Sequence, residues 1–317
     1  MSFNLKKYDS TSFETWNEIC SCSVNGTFIQ TMKFLSYHGN KFEDKSLMIY
    51  KDNICIGVFP AACDPNKSKY ISSHPGTTFG GFVHIGKIKG NEMTEIFNML
   101  RKYYLSEGFE NIIYKPTPYF YHQNPSQEDI YALHKLNAKR YRCDMSSTLD
   151  LEKELNFSSR RKRGLKKAKN NNIQISENFK YISEYWEILK ENLKEKHNTN
   201  PVHNIKEIND LYKKFPENIK GIFALDRDKI TGGVILFIHK NVIHAQYIAS
   251  SNQGKTNSAL DYVFDYAIRK FQLTNIKWFD FGISTENEGK YLNEGLYNFK
   301  KEFGSGSTIY EFYDWTL

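Results

Sequence analysis

Residues 222–238 read IFALDRDKITGGVILFI and alternate apolar and polar side chains on both sides of Arg227-Asp228. The alternation predicts a β-hairpin, because a period of two places the apolar side chains on one face of each strand. Residues 46–62, SLMIYKDNICIGVFPAA, repeat the pattern around Asp52-Asn53, with a glycine five places after the turn aspartate in both copies. The sequence therefore predicts one hairpin twice, 176 residues apart.

A helix followed by a strand also occurs twice. Residues 92–115 and 257–282 each show apolar residues at helical spacing, then a basic pair, a short turn and a strand pattern. Aligning Leu100 with Ile268 gives an offset of 168, close to that of the hairpins. Two weakly repeated patterns at similar offsets predict a duplicated unit of hairpin, helix and strand. The predicted class is α/β (α+β) with a mixed sheet. The alternative is that two unrelated mixed α/β domains look alike at this level.

The boundary between the two repeats is predicted near residues 143–157. A strand pattern over residues 141–149 runs there into the polar stretch LEKELNFSSRRK. This predicts an N-terminal domain over residues 1–150 and a C-terminal domain over residues 151–317.

Composition restricts the class of protein. The 317 residues have a net charge of +7, and 15% of them are aromatic, which suits a cleft with flat, polar-tipped walls. The five cysteines are odd in number and lack a CxxC pair, so neither a disulfide framework nor a zinc site is predicted, and a cytoplasmic location is expected. No signal peptide and no run of eighteen apolar residues is visible, so no stable membrane insertion is expected.

Much of the positive charge lies in residues 158–169, SSRRKRGLKKAK, where seven of the ten positions from Arg160 to Lys169 are Lys or Arg. Ser158 or Ser159 is a plausible N-cap, and a narrow apolar stripe predicts a helix with a broad basic face. The run alone does not choose among nucleic acid, anionic lipid, a phosphorylated substrate and water as its partner.

Residues 249–256, ASSNQGKT, fit the permissive form of a phosphate-binding loop between a strand and a helix. A P-loop-like NTPase is therefore one interpretation. Only 61 residues follow Thr256, however, and the first glycine of that motif is replaced. An anion-binding or ordinary strand-to-helix turn is favoured.

Two further loops are candidate substrate sites. HPGTTFGGF, residues 74–82, contains His74, Gly80 and Gly81, and glycines at this density permit positive φ angles or a close backbone approach to a ligand. KHNTNPVH places His197 and His203 around a proline, and a polar substrate loop is favoured because no third metal ligand is evident. No metal site is predicted. A loop that merely turns, and incidental surface histidines, are the alternatives.

The C-terminal stretch 279–304, FDFGISTENEGKYLNEGLYNFKKEFG, has the most unusual composition. Asp280 lies at the end of a predicted strand, and Lys300 is flanked by aromatic residues that can desolvate its ammonium group. Both are candidate catalytic residues. The alternative is that Phe299 and Phe303 anchor a core while Lys300 faces solvent.

These blocks together resemble the Fem-type (FemABX-like) transferases. FDFG, a polar loop and GLYNFKKEFG resemble the closing signature of that family. The other resembling blocks occur in the family's order between residues 13 and 304: TFIQTMKF (27–34), HPGTTFGG (74–81), RRKRGLKKAKNNNIQI (160–175), ENLKEKHNTNPVHNIKEINDLYKKFP (191–216) and HAQYIASSNQGK (244–255).

The resemblance implies two tandem GNAT-like domains, which have the acyl-CoA N-acyltransferase fold. It implies transfer of an acyl or aminoacyl group to the amine of a nucleotide- or lipid-linked cell-envelope precursor, such as an amino sugar or a peptidoglycan-type molecule. The donor is a co-substrate, aminoacyl-tRNA or acyl-CoA, so tRNA is a candidate partner and no tightly bound cofactor is expected. The oligomeric state is not predicted.

The resemblance also assigns roles. Lys300 would neutralise charge near the donor or the reacting carbonyl, and Tyr247 would line the acceptor site, with Phe299 beside Lys300. The hypothesis gives Arg160, Arg163 and Lys167 to phosphate, and Asp280, His197 or His203 to acceptor positioning or proton removal.

Gln253, Gly254 and Lys255 are the candidate cofactor-binding residues, but they depart from the GNAT pyrophosphate loop. That loop has a glycine three places after its basic or Gln residue and a Gly or Ala two places later; here Thr256 and Ser258 occupy those positions. An ordinary acetyl-CoA site is therefore in doubt. Besides the NTPase, the rival hypotheses are an acyl-CoA-dependent N-acetyltransferase acting on a small amine, a nucleic-acid-binding protein using helix 158–169, and a catalytically silent scaffold.

Overall fold

Helices and strands alternate along the chain in the computed structural model, which describes residues 2–317 except for the side chain of His197. The α-helices of the described residues are α1 (Phe13–Cys22), α2 (Met32–Leu35), α3 (Gly90–Ser106), α4 (Glu128–Lys135), α5 (Ser159–Asn170), α6 (Ile182–His197), α7 (Ile205–Lys214), α8 (Asn252–Asn257), α9 (Ala259–Gln272) and α10 (Glu294–Lys301). The strands are β1 (Phe3–Lys7), β2 (Leu47–Lys51), β3 (Ile54–Phe59), β4 (Ala62–Cys63), β5 (Tyr70–Ser72), β6 (Val83–His84), β7 (Asn111–Tyr114), β8 (Lys139–Asp150), β9 (Gln174–Ser176), β10 (Ile219–Asp226), β11 (Lys229–Ile238), β12 (Val242–Ser250), β13 (Trp278–Ile283), β14 (Thr285–Glu286), β15 (Tyr291–Leu292) and β16 (Gly306–Thr316).

Both predicted hairpins are confirmed. Strands β2 and β3 pair antiparallel around Asp52-Asn53, and β10 and β11 pair antiparallel around Arg227-Asp228. All four turn residues have φ between 47° and 68°. Two successive positive φ angles are typical of the two-residue turns whose twist matches that of the flanking strands.

The predicted helix and strand repeats are confirmed as α3 followed by β7 and α9 followed by β13. In both copies the strand after the helix pairs in parallel with an earlier strand: β7 with β5, and β13 with β12. A parallel neighbour requires a crossover connection, which the helix supplies. The two halves therefore share a local topology as well as a sequence pattern.

Contacts divide the chain into two units. The first contains the residues up to Asp144 together with 285–291 and Ile309–Leu317, and the second contains Met145–Ser284 and Leu292–Thr308. The units thus differ from the predicted division at residue 150, because they are discontinuous in sequence. Strand β16, which the sequence analysis did not predict, returns to pair antiparallel with β7 of the first unit.

In the first unit, β1, β2, β3 and β6 form one sheet in that order, while β4, β5, β7 and β16 are successive neighbours in another. A hydrophobic core joins α3 to the strands through residues such as Phe97, Leu100, Ile112 and Trp315. In the second unit the strand order is β8, β13, β12, β11, β10 and β9. Helix α9 packs its buried face on this sheet, with Val263, Phe264 and Ile268 in the core.

No helix in the described part of the chain is both long enough and apolar enough to cross a membrane.

Helix α5 begins where the sequence predicts, because the Ser158 hydroxyl accepts a hydrogen bond from the Arg161 backbone N–H. The basic run is therefore a capped helix of the second unit.

Candidate active site

Three neighbouring strands of the second unit place polar side chains side by side. The parallel register pairs His244 of β12 with Asp280 of β13, and the antiparallel register pairs Asp280 with Thr148 of β8. Phe279 and Phe281 belong to the hydrophobic core. Since side chains alternate along a strand, Asp280 points to the opposite face of the sheet.

This row lies where two parallel strands separate. The parallel pairing of β12 with β13 ends at His244 and Asp280, although β12 continues to Ser250 and β13 continues to Ile283. Beyond this point β12 and β13 are not paired with each other in the described part of the chain. The carboxyl ends of strands are a common position for a ligand in α/β proteins.

The Asp280 carboxylate is fully buried and hydrogen-bonded at both oxygens. Oδ1 accepts from the Ser146 hydroxyl, from the Gly282 backbone N–H at 3.1 Å and, at a longer 3.4 Å, from the Thr148 hydroxyl. Oδ2 lies 2.7 Å from Nδ1 of His244. A buried carboxylate requires such donors, so these contacts fix the position of Asp280 and orient the histidine.

Lys300 of α10 is buried beside this row, with only 3% of its surface exposed. Its Nζ donates hydrogen bonds to the carbonyl oxygens of Gly282 at 2.8 Å and Ile283 at 2.7 Å. Burial lowers the pKa of Lys300 from its ordinary 10.5 to about 8, and the negative charge of Asp280 opposes that shift. The interpretation that placed Lys300 in solvent is wrong, because the end of β13 accepts its ammonium hydrogens.

Helix α10 and the residues after it also contact α5. The Arg161 guanidinium lies 4.7 Å from the ring centre of Phe299 and 5.7 Å from that of Phe303. Its Nη1 is 3.0 Å from Asp261 Oδ1, and its Nε is 2.9 Å from Glu302 Oε2. The N–H directions do not meet hydrogen-bond geometry, so these contacts are ion pairs by distance. The burial of Arg161 differs from the predicted solvated basic face.

A cavity of about 520 Å³ lies between α5, α10 and the start of α9. Six of its lining residues were predicted as site residues from separate stretches of sequence: Arg160, Arg163, Lys167, Gly254, Lys255 and Phe299. Arg161 and Asp261 also line it. The structure thus brings the basic helix, the strand-to-helix turn and the C-terminal signature together, with more cations than carboxylates around the space.

The acidic residue of the cavity is held by close helix packing. A Cβ atom at Gly164 would lie 2.6 Å from the Asp261 carboxylate, so glycine allows α5 to approach α9. Burial raises the pKa of Asp261 to about 6, and the neighbouring Arg161 opposes the shift. Asp261 therefore remains largely ionised at neutral pH and balances Arg161.

The strand-to-helix turn at residues 249–256 is confirmed, and its residues hydrogen-bond to one another. The Ser251 hydroxyl accepts from the Gly254 N–H at 3.1 Å, and Lys255 Nζ donates to the side chain of Asn252 at 2.9 Å. A Cβ atom at Gly254 would lie 2.0 Å from the Thr231 carbonyl oxygen, so packing on β11 explains the glycine. The phosphate cradle of a P-loop NTPase uses successive backbone N–H groups of its loop, whereas here the Gly254 N–H is taken up by the Ser251 cap.

Gln253 lies outside the cavity lining. Its side-chain amide donates to Asp226 Oδ2 at 2.7 Å. This contact directs it away from the role that the GNAT pyrophosphate loop gives to that position.

Tyr247 and His203 form a separate pair in the second unit. The Tyr247 hydroxyl is hydrogen-bonded to Nδ1 of His203, and burial raises the pKa of Tyr247 far above its ordinary value. Both residues are buried, and Trp186 packs edge-on against the Tyr247 ring at 5.0 Å. The side chain of His197 lies outside the described residues. Among the described residues no group of three or more His, Cys, Asp or Glu could hold a metal ion.

The glycine loop belongs to the first unit. Burial lowers the pKa of His74 well below its ordinary value, and nearby His38 adds to the shift. Gly80 approaches its own chain, since a Cβ atom there would lie 1.7 Å from the Ser73 carbonyl oxygen, and Gly81 has φ +66°. Loop packing therefore accounts for both glycines, and a role of His74, Gly80 and Gly81 in substrate binding stays a prediction.

His244, Ser146 and Thr148 were not predicted as site residues from the sequence. The sequence contains a signal for His244. His244 stands two places after the start of β12 at Val242, and Asp280 stands two places after the start of β13 at Trp278. Two strands joined by a helical crossover are expected to be parallel neighbours, which places such residues side by side. The hydroxyl partners come from β8, more than 130 residues before Asp280, and carry no such signal.

The fold is a mixed α/β fold of two tandem GNAT-like units, as the sequence predicts. Similar solved structures include FemX, with a TM-score of 0.71 and 13% identity over 98% of this chain and 97% of that chain. L-PGS from Bacillus licheniformis has a TM-score of 0.62 and 10% identity, covering 97% of this chain and 92% of that one. A tandem GNAT protein from the clavulanic acid biosynthesis pathway has a TM-score of 0.55 and 8% identity, covering 99% and 98%.

These similarities, all below 15% identity, define the fold. No protein-family model matches the chain, and no curated protein matches it. A shared fold does not define an activity, which depends on the residues of the site.

Proposed function

We propose that the chain is an N-acyltransferase that moves an acyl or aminoacyl group to the amine of a nucleotide- or lipid-linked cell-envelope precursor. The observation that carries the proposal is the position of Lys300. Lys300 contacts the end of β13, and the preceding residue, Phe299, lines an arginine- and lysine-rich cavity. The fold shared with FemX, L-PGS and a tandem GNAT protein supports the reaction class.

Acyl transfer to an amine needs charge stabilisation more than a strong nucleophile from the protein. A tetrahedral oxyanion forms when the amine attacks the acyl carbon, and a positive charge or hydrogen-bond donor nearby lowers the barrier. An ammonium group has three hydrogens, and Lys300 gives two of them to backbone carbonyls. The third is available for the oxyanion or for the leaving oxygen or sulfur.

The basic cavity suits a donor that carries phosphate. Arg160, Arg163, Lys167 and Lys255 line it, and flexible cations of this kind bind phosphates without requiring one fixed geometry. Both proposed donors, aminoacyl-tRNA and acyl-CoA, are polyanions. The engagement of Gln253 with Asp226 and the replacement of the pyrophosphate-loop glycines by Thr256 and Ser258 favour aminoacyl-tRNA.

A transfer assay tests the proposal. Purified chain is mixed with total tRNA charged with radiolabelled amino acids, or with labelled acetyl-CoA. The acceptor is a UDP-linked amino sugar with a free amine or a UDP-linked muramyl peptide with a free lysine amine. We expect label to enter an alkali-stable amide with the wild-type chain and to be lost in the Lys300→Met variant.

Two outcomes would overturn the proposal. Label that stays on both donors with every acceptor would exclude acyl transfer to these amines. Tight RNA binding with a steep salt dependence but no transfer would instead favour a nucleic-acid-binding protein that uses helix α5.

A further inference from the structure

We propose that His244, oriented by Asp280, is the base that removes the proton from the attacking amine. The proposal rests on the transferase function proposed above and adds to it a catalytic residue that no sequence motif indicates.

The hydrogen bond to Asp280 sets the tautomer of His244. A carboxylate accepts hydrogen bonds only, so the 2.7 Å contact assigns the hydrogen to Nδ1 and leaves a lone pair on Nε2 of the neutral ring. No hydrogen bond among the described residues engages Nε2, and 12% of the side chain is exposed to solvent. His244 therefore combines a fixed ring with a nitrogen that is open to a ligand.

His244 and Lys300 both lie next to Gly282. A Cβ atom added at Gly282 would lie 3.4 Å from Cε1 of His244, the ring carbon bonded to Nε2. The Gly282 carbonyl oxygen accepts a hydrogen bond from Lys300 at 2.8 Å. A proton acceptor and an ammonium group thus flank the same point at the end of β13, where β12 and β13 separate.

The other titratable candidates do not suit the role. Both oxygens of Asp280 are occupied by donors, so this residue orients the histidine and does not reach the amine. Nδ1 of His203 is hydrogen-bonded to the Tyr247 hydroxyl in a buried pair. His239 also interacts electrostatically with His244, but burial lowers the pKa of His239 well below its ordinary value and keeps that ring neutral.

The reaction balances without another reactant. The neutral amine of the acceptor attacks the acyl carbon and forms the C–N bond, and Nε2 of His244 takes one N–H proton. The bond from the acyl carbon to the leaving oxygen of tRNA, or sulfur of coenzyme A, then breaks. That proton returns from His244 to the leaving group, so the products are an amide and the free hydroxyl or thiol.

Kinetics of His244 variants test the role, using the charged tRNA pool and the UDP-linked acceptors described above. We expect His244→Gln to lower kcat by about 10²-fold or more, the usual effect of losing a general base, with the KM values for both substrates within about threefold of wild type. Free imidazole should restore at least part of the activity of His244→Gly but should not accelerate Asp280→Asn, which keeps its own ring in place.

The outcomes separate the two proposals. If His244→Gln transfers as fast as wild type, or changes KM alone, the base role falls while the transferase function stands. If the wild-type chain transfers nothing, the transferase function falls, and the base role with it.

A second measurement needs no substrate. Long-range ¹H–¹⁵N NMR of histidine-labelled protein, assigned by comparison with His244→Gln, reports which ring nitrogen carries hydrogen. We expect Nδ1–H and an unprotonated Nε2 in the neutral wild-type ring, and a loss of this preference in Asp280→Asn. An Nε2–H tautomer in the wild type would overturn the proposal.

Discussion

Among the residues that the structure describes, each unit buries one lysine, and the surroundings of the two lysines differ. Lys115, directly after β7 in the first unit, is 6% exposed and donates to the carbonyl oxygens of His74 at 2.6 Å and Thr77 at 2.5 Å. Lys300 in the second unit is 3% exposed and likewise donates to two carbonyl oxygens. Burial lowers the pKa of Lys115 to about 7 and that of Lys300 to about 8.

The nearby charges distinguish the two lysines. The positive charge of Arg142 adds to the lowering of the Lys115 pKa, and a smaller effect of Asp64 opposes it. For the Lys300 pKa the negative charge of Asp280 opposes the lowering, and no positive charge among the described residues adds to it. In the structure the two hydrogen bonds of Lys115 hold the 74–77 loop in place. Lys300 lies beside an oriented histidine where parallel strands separate. Burial of a lysine alone therefore does not define a reaction site. The combination of a buried lysine with His244 of β12 and Asp280 of β13 does.

Replacement of the two lysines gives the largest expected difference. We expect Lys300→Met to lower kcat for acyl transfer by about 10²-fold or more, because the charge that stabilises the oxyanion is lost. Lys115→Met is the matched control and should lower kcat by less than tenfold, since Lys115 holds a loop of the other unit. Initial rates at saturating donor and acceptor check this, with circular dichroism spectra to show that both variants fold. Equal losses in both variants would contradict the distinction.

The pH dependence of transfer sharpens the role of the Lys300 charge. Below pH 8 the ammonium is present, and above pH 8 it is progressively lost, because its pKa is about 8. An arginine at this position stays charged throughout. The ratio of the wild-type rate to the Lys300→Arg rate should therefore fall up to about tenfold per pH unit above pH 8, a comparison that cancels the ionisation of the acceptor amine. A constant ratio would exclude the charged form as the active one.

The sequence predicted the frame of the fold because local signals specify it. The hairpin turns at Asp52-Asn53 and Arg227-Asp228 and the Ser158 cap depend on near neighbours, and all are present. It did not predict β16, whose pairing with β7 joins residues about 200 positions apart. Pairing over such a separation depends on tertiary packing, which one sequence does not show.

The sequence predicted which residues belong to the site but not how their side chains contact one another. The predicted strand end selected Asp280 and the flanking aromatic residues selected Lys300, and the structure places both side chains at the end of β13. The sequence did not indicate the burial of Arg161, since its acidic partners Asp261 and Glu302 lie 100 and 141 positions further along the chain. A charged side chain in a run of seven cations looks solvated until its distant partners are known.

The pH dependence of stability tests the other side of the comparison. Lys115 has a pKa of about 7 in the folded chain and 10.5 ordinarily, so above pH 7 the unfolded chain binds the proton that the folded chain has released. Stability therefore rises with pH in this range. We expect the free energy of urea unfolding to increase by about 1 kcal/mol between pH 7 and pH 8, since a full proton difference gives about 1.4 kcal/mol per pH unit.

Only one of the two lysines contributes strongly in that window. Lys115→Met should lack the increase, whereas Lys300→Met should keep it, because Lys300 begins to lose its proton only near pH 8. Between pH 7 and pH 8 tyrosine stays protonated in the unfolded chain, whereas cysteine thiols, with an ordinary pKa of about 8.5, begin to ionise. Wild type and both lysine variants have the same cysteines, so the difference between them isolates the lysine. If the increase persists in Lys115→Met, burial of this ammonium is not its cause.

The smallest expected effect concerns the cavities of the two units. The cavity beside Lys300 is lined by Arg160, Arg163, Lys167 and Lys255, whereas a cavity of about 360 Å³ in the first unit, lined by Tyr119, Tyr131 and Glu128, has no lysine or arginine among its described lining residues. If the cavity of the second unit binds donor phosphates, Lys255→Ala should raise the donor KM about threefold to tenfold with kcat unchanged. It should also reduce the slope of log KM against log salt by about one, because one phosphate contact is removed. The exposed Lys102 of α3 gives the matched control: Lys102→Ala should leave both quantities at wild-type values. An equal change in the two variants would mean that net charge, and not this cavity, attracts the donor.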